Sequence, residues 1–225
     1  MSPRKPAVLR GGDGPGLREH LIATAARLID ERGSAGLSVR DIAAAAQVAD
    51  GVLYNYFEDK EDLLAHALLA HVAAVMSGLA PMPPAGTGTV AGNLEVFIGS
   101  GLATLAGVVP AFVGLLSQPK VLTRFHAMVG GDPAFGAGPE PQAGSGGGEG
   151  LPAILARYLR AEQELGRVGA AADIDAATKL VVGAMHGEVL PGALFSPQGR
   201  PAAPPPGLPA RLAAAALAGL APSSR

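Results

Sequence analysis

The sequence predicts an all-α fold in which a small N-terminal domain of three helices is followed by a larger helical domain. Three observations support this prediction. Apolar residues recur at helical spacing along most of the 225 residues, which is the pattern of amphipathic helices. Tryptophan is absent and only three tyrosines and six phenylalanines occur, so small aliphatic residues must form the core, as in packed helices. Segments that alternate β-branched and polar residues are few, which leaves little support for a sheet.

Composition excludes several kinds of site. The sequence contains no cysteine, which excludes disulfides, thiolate metal sites and a cysteine nucleophile, and suits a reducing cytoplasm. The first residues lack the apolar segment of a signal peptide. The net charge of −2 argues against strong non-specific binding of nucleic acid, which requires clustered cations. Residues 1–57 are less acidic, with seven Arg or Lys against six Asp or Glu.

The first elements are an arm and one long helix. Residues 1–16 are rich in Gly and Pro, and we expect a disordered arm there. A helix is predicted from Leu17 to Arg32, where Gly33 supplies a C-terminal stop. Its apolar face contains Leu21, Ile22, Ala25, Leu28 and Ile29.

A short helix is predicted next, from Val39 to Ala46. Ser38 can cap its N-terminus, and Asp41 follows three residues later, which is the spacing of a capping box. One apolar face of this helix is formed by Ile42, Ala43 and Ala46.

After a break at residues 47–49, a second short helix is predicted from Asp50 to Phe57. Leu53 and Phe57 lie four residues apart and form its apolar face. A helix this short needs docking on the preceding helix, so its other side faces solvent or a ligand. This arrangement is that of a helix-turn-helix, whose second helix enters a DNA major groove.

The helix-turn-helix follows the pattern T/S-x-x-x-I-A-x-x-A-x-V-x-x-G-x-L-Y-x-[HY]-F with a Lys shortly afterwards. The matching residues are Ser38, Ile42, Ala43, Ala46, Val48, Gly51, Leu53, Tyr54, Tyr56, Phe57 and Lys60. This pattern resembles the N-terminal domain of TetR-family transcriptional regulators, from Leu17 to roughly Leu64. The resemblance implies a DNA-binding domain over residues 17–62 and an effector-binding and dimerisation domain over residues 63–225.

Five residues are predicted to contact the DNA backbone. Ser38 offers a hydroxyl at the positive end of a helix, and Arg40 can reach a phosphate or a guanine. Tyr54 and Tyr56 offer phenol donors, while Lys60 is the phosphate-binding cation that the resemblance implies. The alternative for Tyr54, Tyr56 and Lys60 is that they are merely exposed helix residues.

Sequence preference is predicted to come from Asn55 and Val52. Asn55 can bind N6 and N7 of adenine, and Val52 can touch a thymine methyl, although each is alternatively an exposed residue without a role. Asp50 departs from the residue types that the resemblance implies, because a carboxylate repels phosphates unless it accepts from a cytosine amine or caps its helix. Because Ala49 occupies the usual cap position and cannot cap, we favour the role of helix cap for Asp50.

A fourth helix is predicted to run to about Gly78, with Asp59 as its cap and Asp62 at the third helical position. His66 and His71 lie on this helix. A spacing of five residues puts them about 140° apart around the axis, so one metal ion is not easily held by both, and no metal site is predicted.

The second domain is predicted to be a series of helices separated by loops. The predicted order is a loop at 79–89, a helix at 90–108, another helix from Pro110, a short helix at 120–129, a loop at 130–150, a helix from 151 to about 166, a helix capped by Asp173 or Asp175 and continuing past Val189, a loop at 191–207 and a last helix at 208–220.

One stretch is a candidate membrane span by length. Residues 96–119 carry no charge and are long enough to cross a bilayer. Pro110, four glycines and four polar residues in this stretch favour two buried helices broken at the proline. We therefore predict no membrane partner.

Residues 80–225 contain no phosphate-binding loop after a strand, no HExxH and no GxSxG, so we predict no enzyme activity and no cofactor. The apolar interior suits a hydrophobic small molecule. The candidate lining residues, each of which is alternatively a core residue, are Phe97, Phe112, Phe125, His126, Met128 and Tyr158.

Dimerisation is predicted through the last two long helices, about 173–190 and 208–220. Leu208, Leu212, Ala216 and Leu220 fall four residues apart on the last helix. The resemblance implies that both helices pair with their twofold mates in a four-helix bundle. The alternative is that they cap the core of one subunit.

These features predict a cytoplasmic, dimeric repressor that binds double-stranded operator DNA through residues 50–57 and is released by a hydrophobic small-molecule effector. Two alternatives stay open. One is a constitutive DNA-binding regulator whose second domain only dimerises. The other is a small-molecule-binding protein that has lost DNA binding, which would explain the acidic balance and Asp50.

Overall fold

A computed structural model describes residues 16–34, 36–129, 150–196, 201–218 and 220. All regular structure within these residues is helical, which confirms the predicted fold class. The predicted arm, apart from Gly16, and the loop predicted at 130–150, apart from Gly150, lie outside the described residues. The elements are α1 (Leu17–Arg32), α2 (Val39–Ala46), a 3₁₀ helix (Asp50–Asn55), α3 (Lys60–Ser77), α4 (Val90–Val113), α5 (Pro119–Met128), α6 (Leu151–Glu164), α7 (Ile174–Phe195) and α8 (Leu208–Ala218).

The predicted caps of α2, α3 and α7 are present. The Ser38 side chain accepts a hydrogen bond from the amide of Asp41, and the Asp41 carboxylate accepts from the amide of Ser38, which completes the capping box. Asp59 accepts from the amide three residues later at 2.8 Å, and Asp173 does the same at the start of α7 at 2.9 Å. Each cap satisfies backbone donors that the first helical turn leaves unpaired.

Two prolines that were predicted to separate helices lie inside them instead. Pro110 is within α4, which continues to Val113, and Pro191 is within α7, which continues to Phe195. A proline removes one helical hydrogen bond and crowds the carbonyl four residues before it. Both prolines lie in the last turns of their helices, where little of the helix remains to be disrupted. The predicted breaks at these positions are therefore wrong.

The chain divides into two compact units. The first unit consists of Met1–Ala74 and Ala111–Met128, and the second consists of Val75–Pro110 and Val129–Arg225. This division differs from the predicted boundary after residue 62, because the first unit keeps most of α3 and also includes α5. The reason is that residues 111–128 bury apolar side chains in the core of the first unit. These side chains are Ala111, Leu115 and Val121.

The first unit has a core that joins α1, α2, the 3₁₀ helix and α3 to residues 111–128. Its most deeply buried large side chains, each less than 2% exposed, come from three of the helices and from the segment 111–128. They are Leu21, Leu28, Ile42, Leu63, Leu64, Leu68 and Leu115.

The second unit packs α6 against α7 and α7 against α8. Gly101 of α4 allows close approach to α7, because a Cβ atom at this position would lie 2.2 Å from Cε of Met185. Among the described helices, α4 is long and apolar enough to cross a membrane, and half of its most apolar 18-residue stretch is buried in the structure. A buried core helix has the same length and composition.

Candidate nucleic-acid interface

The turn of the helix-turn-helix is made at Gln47. This residue adopts the left-handed conformation, with φ 58° and ψ 40°, and its amide donates to the last carbonyls of α2. No other non-glycine residue in the described ranges has a positive φ, and this conformation is uncommon for such residues. The chain therefore reverses sharply between α2 and the following segment.

The second short helix is a 3₁₀ helix over Asp50–Asn55, whereas the sequence predicted an α-helix from Asp50 to Phe57. Short segments that connect α-helices commonly adopt the tighter 3₁₀ geometry. The predicted apolar face is present, because Leu53 is 2% exposed and Phe57 is 4% exposed. These two side chains dock the segment on the first unit.

The opposite side of the 3₁₀ helix and its exit are open. Tyr54 is 60% exposed and Tyr56 is 42% exposed, and Asn55 between them is exposed as well. Val52 is half-buried. Phenol and amide groups therefore lie on the outside of the first unit, where a second molecule can reach them.

Asp50 does not cap its own helix. The N-cap residue is Ala49, and no side chain caps this helix. The Asp50 carboxylate instead accepts a hydrogen bond from Nε of Arg40 at 3.3 Å. Asp50 is the first helical residue, whereas the side chain that caps a helix belongs to the N-cap residue, here Ala49, and accepts from the amides two or three residues later. The cap favoured from the sequence is therefore wrong.

Two α-helices flank the 3₁₀ helix in the sequence, and residues in the first turn of each were predicted to contact DNA phosphates. The Ser38 hydroxyl is engaged in the capping box, and hydrogen bonds from Ser38 hold the pKa of the Asp41 carboxyl below its usual value. The Arg40 side chain is 87% exposed. Lys60 is the first residue of α3 and is half-buried.

Arg18 and His66 contact the buried Phe57, which follows the 3₁₀ helix, and neither was predicted as a site residue. The Arg18 guanidinium lies 5.2 Å from the centre of the Phe57 ring, and the His66 ring meets the same ring edge-on at 6.0 Å. Nη2 of Arg18 is 2.6 Å from Nε2 of His66. A cation over a ring face and an edge-on contact both stabilise such a cluster.

Arg124 of α5 also contacts this region and was not foreseen. Its guanidinium binds the carboxylates of Glu58 and Asp59, which connect the 3₁₀ helix to α3. The pKa of the Asp59 carboxyl is lowered, first by the hydrogen bond from the amide of Asp62 and then by Arg124. The pKa of Arg124 is raised, chiefly by its hydrogen bond to Asp59. The sequence carries no local signal for a pair 65 residues apart.

The six candidate effector-lining residues are divided between the units. Phe97 and Tyr158 are buried in the second unit. The other four belong to the first unit: Phe112, Phe125 and Met128 pack against its core, and His126 is exposed. The sequence had suggested that these six residues line one interior. The structure instead divides them between the two units.

Tyr158 belongs to a buried polar cluster. Its hydroxyl accepts from the side-chain amide of Asn93 at 2.9 Å. Burial, followed by a hydrogen bond with Glu162, raises the pKa of Tyr158 to about 12. Glu162 is itself fully buried and pairs with Arg167 at 3.2 Å. This cluster connects α4 to α6 through hydrogen bonds and an ion pair among its own polar groups.

One side of α7 is apolar and exposed. Leu180 is 75% exposed, and Leu190 and Leu194 are 42% and 43% exposed. Gly183 and Gly187 lie between them at helical spacing, and no heavy atom comes within 4 Å of a Cβ placed on either glycine. We call these five residues the α7 face.

The stripe predicted on α8 is less available than the α7 face. Leu208, Leu212 and Ala216 are half-buried, and Leu220 is 2% exposed. These residues are already partly covered within the second unit.

Residues 21–67 match the family model described as "Bacterial regulatory proteins, tetR family". The matched range contains most of α1, all of α2 and the 3₁₀ helix, and the first part of α3.

Two curated relatives align with the same end of the chain. The HTH-type transcriptional repressor DhaR of Mycobacterium sp. (strain GP1) is 47% identical over 45 residues, which cover 20% of this chain and 23% of DhaR. The HTH-type transcriptional repressor NemR of Escherichia coli (strain K12) is 35% identical over 71 residues, which cover 32% of this chain and 36% of NemR. The aligned part is thus well under two thirds of either relative.

Solved structures share the fold over most of the chain. The reduced form of E. coli NemR superposes with a TM-score of 0.58 and 18% identity, covering 93% of this chain and 100% of that one. The transcriptional regulator FadR from Bacillus subtilis, solved in complex with stearoyl-CoA, gives a TM-score of 0.53 and 17% identity, covering 90% of this chain and 98% of that one.

Proposed function

Because this chain belongs to the tetR family of bacterial regulatory proteins, we propose that it is a homodimeric transcriptional repressor. It binds operator DNA through the 3₁₀ helix and its flanks, acts in the cytoplasm and is released by a hydrophobic small molecule. The observation that carries the proposal is the exposed Tyr54-Asn55-Tyr56 stretch on a helix docked through the buried Leu53 and Phe57.

Base contacts are assigned to Asn55 and Val52. The exposed amide of Asn55 has the donor and acceptor that adenine presents in the major groove, and Val52 has a methyl group for contact with thymine. Asp50 lies on the same helix, and its carboxylate either repels phosphates or accepts from a cytosine amine.

Phosphate contacts are assigned to Ser38, Arg40, Tyr54, Tyr56 and Lys60. The start of α2 presents backbone N–H groups and the positive end of a helix dipole. The exposed Arg40 side chain can exchange its carboxylate partner for a phosphate oxygen. Because the net charge is −2, binding depends on the placement of these few cations and on their doubling in a dimer.

The α7 face is the proposed centre of the dimer interface. Leu180, Leu190 and Leu194 expose apolar area that one subunit leaves uncovered, and the two glycines allow a second helix to approach closely. A twofold axis through this face would pair α7 with its own mate, and α8 would add the outer part of a four-helix bundle.

The second unit is the proposed effector domain. Of the six lining candidates, Phe97 and Tyr158 belong to it. B. subtilis FadR was solved with stearoyl-CoA, a ligand with a long apolar chain, and an apolar interior suits such a ligand. The 225 residues contain no cysteine, so thiol oxidation within them is not the signal.

The DNA-binding proposal is tested by gel shift on the region upstream of the protein's own gene. We expect a specific complex for the wild type and about a tenfold or greater loss for Asn55→Ala, whose bidentate base contact is removed. Glu95→Ala, an exposed substitution on α4 in the second unit, is the control and should bind like the wild type. A wild-type protein that shows no specific complex at low salt contradicts both the repressor proposal and the alternative of a constitutive regulator.

The effector proposal is tested with fatty acyl-CoA thioesters of increasing chain length, with coenzyme A alone as the control. We expect long chains to raise the unfolding temperature and to weaken the DNA complex by the factor by which DNA weakens their binding. Acyl-CoA binding that leaves DNA affinity unchanged would indicate the constitutive regulator instead.

A further inference from the structure

Arg124 forms a two-pronged contact with the segment that follows the 3₁₀ helix. Nη2 of Arg124 lies 3.0 Å from Oδ2 of Asp59, and Nη1 binds the other oxygen of the same carboxylate. Nη2 also reaches Oε2 of Glu58 at 3.2 Å. One guanidinium therefore engages two consecutive carboxylates, immediately before Lys60.

The Asp59 carboxylate connects this contact to the start of α3. Its Oδ1 accepts the hydrogen bond from the amide of Asp62 at 2.8 Å, so the same group caps α3 and pairs with Arg124. A bidentate arginine contact fixes orientation as well as distance. The first turn of α3, which carries Lys60, is thus held in a defined position.

The segment that carries Arg124 is itself anchored in the first unit. Val121 is fully buried, and the rings of Phe112 and Phe125 meet edge-on at 5.1 Å. The Ser34 hydroxyl donates to the carbonyl of Ala111 at 2.6 Å, in a buried hydrogen bond. Arg124 therefore acts from a packed helix and not from a free loop.

Charge gives this contact a role in DNA binding. Residues 58–62 contain four carboxylates and one lysine, next to the residues assigned to DNA phosphates. Glu58 is 82% exposed, and the cation paired with it is Arg124. Without Arg124, Glu58 would lose its ion-pair partner and Asp59 would keep only the attraction of Lys120. Negative charge would then increase beside the phosphate site of Lys60, and like charges repel.

We propose that Arg124 is a positioning residue for DNA binding, which neutralises Glu58 and Asp59 and fixes the start of α3 so that Lys60 meets a phosphate. This inference rests on the proposed DNA-binding function. Arg124 itself makes no DNA contact in this proposal, and it acts through the two carboxylates.

The test measures operator affinity of the full chain at two salt concentrations. Arg124→Ala should weaken binding about tenfold or more, because one cation is lost and two carboxylates are released. Arg124→Lys should recover part of the loss, since it restores charge without the bidentate geometry. Lys120→Ala is the matched control: it removes an exposed cation from the same helix, and we expect a change of no more than about threefold.

A double variant distinguishes a loss of affinity caused by unpaired negative charge from one caused by misfolding. Adding Glu58→Gln to Arg124→Ala should restore several-fold of the lost affinity, because it removes an unpaired exposed carboxylate. Glu58→Gln alone should change affinity much less. An Arg124→Ala variant that binds like Lys120→Ala overturns the inference, and so does a loss of affinity that Glu58→Gln does not relieve.

Failure of the proposed function can be told apart from failure of this inference. If the wild type binds no operator, the proposed function fails, and amide hydrogen exchange of the free protein still tests the positioning contact. We expect faster exchange in residues 60–63 of Arg124→Ala than in Lys120→Ala. Equal exchange in the two variants would overturn the inference without any DNA measurement.

Discussion

Arg40 and Asp50 form an ion pair across the turn of the helix-turn-helix, with 3.3 Å between Nε and Oδ2. Both side chains are more than half exposed, at 87% and 53%, and exposed pairs contribute little to stability. The pair therefore matters more for DNA binding than for stability, because the Arg40 guanidinium cannot bind this carboxylate and a phosphate equally well at the same time.

We predict that Asp50→Asn tightens operator binding several-fold, because it frees Arg40 and removes a carboxylate close to phosphates. The unfolding temperature should change little, since the pair is exposed. Arg40→Ala should weaken binding and lower the slope of log affinity against log salt by about one for each subunit. Fluorescence anisotropy over a salt series measures both quantities. If Asp50→Asn instead weakens binding only to operators with cytosine at one position, Asp50 contacts that base.

Local signals in the sequence were sufficient for the capping box of α2 and for the buried side of the 3₁₀ helix and Phe57. Ser38 and Asp41 interact across three residues, and Leu53 and Phe57 across four, so their geometry depends on few other parts of the chain. The same rules fail at Pro110, because local propensity does not show that the neighbours of the proline, Val109 and Ala111, are both buried and belong to one helix.

Contacts between distant segments could not be predicted. Arg124 and Asp59 are 65 residues apart, and a sequence shows neither which carboxylate a given arginine meets nor that α5 packs with the first unit. For the same reason the sequence did not show that Phe112 and Phe125, two candidate effector-lining residues, pack against the core of the first unit. Their apolar character predicted burial, but burial in which unit is decided by tertiary structure.

The α7 face gives a prediction for oligomeric state. Gly187 is exposed, and no heavy atom lies within 4 Å of the position that its Cβ would take, so Gly187→Arg meets no obstacle within one subunit. Replacing a helical glycine also favours the helix by roughly 0.5–1 kcal/mol. We expect the wild type to give dimers by light scattering and Gly187→Arg to give folded monomers. Ala103→Arg, an exposed substitution on α4, should remain dimeric.

A dimer that survives Gly187→Arg would contradict the proposed interface. Gly187→Ala provides a further check, because its methyl group is small enough for close helix packing. It should keep the dimer or weaken it slightly, and an effect as large as that of arginine would indicate a backbone effect instead of a steric one.

Ser38 allows the cap of α2 to be tested together with pH. Ser38→Ala removes the hydroxyl that the capping box uses, and we expect a decrease in unfolding temperature of roughly 2–4 °C near neutral pH. Ser38 also lowers the pKa of Asp41, so this contribution is present above the ordinary carboxyl pKa and is lost as pH falls through the lower folded value. The gap between wild type and Ser38→Ala should therefore narrow below about pH 4. A gap that stays constant to lower pH would show that Asp41 does not contribute.

Tyr158 gives a prediction for the dependence of stability on alkaline pH. Its pKa is raised from 10.0 to about 12 in the folded protein, so the unfolded chain ionises first as pH rises. A group with a raised pKa contributes stability that is present below pH 10 and is lost between pH 10 and about 12. We expect the wild type to lose stability over this window more steeply than Tyr158→Phe, which has no phenol to ionise.

At neutral pH, Tyr158→Phe should itself be less stable than the wild type by about 1–3 kcal/mol, because Asn93 and the buried Glu162 lose a hydrogen-bond partner. Tyr54→Phe is the matched control, since its ring is 60% exposed and its hydroxyl can be hydrated in both states. Denaturant unfolding from pH 8 upward measures all three proteins. If the curves of wild type and Tyr158→Phe stay parallel through the alkaline range, the Tyr158 hydroxyl is not protected by the cluster with Asn93 and Glu162.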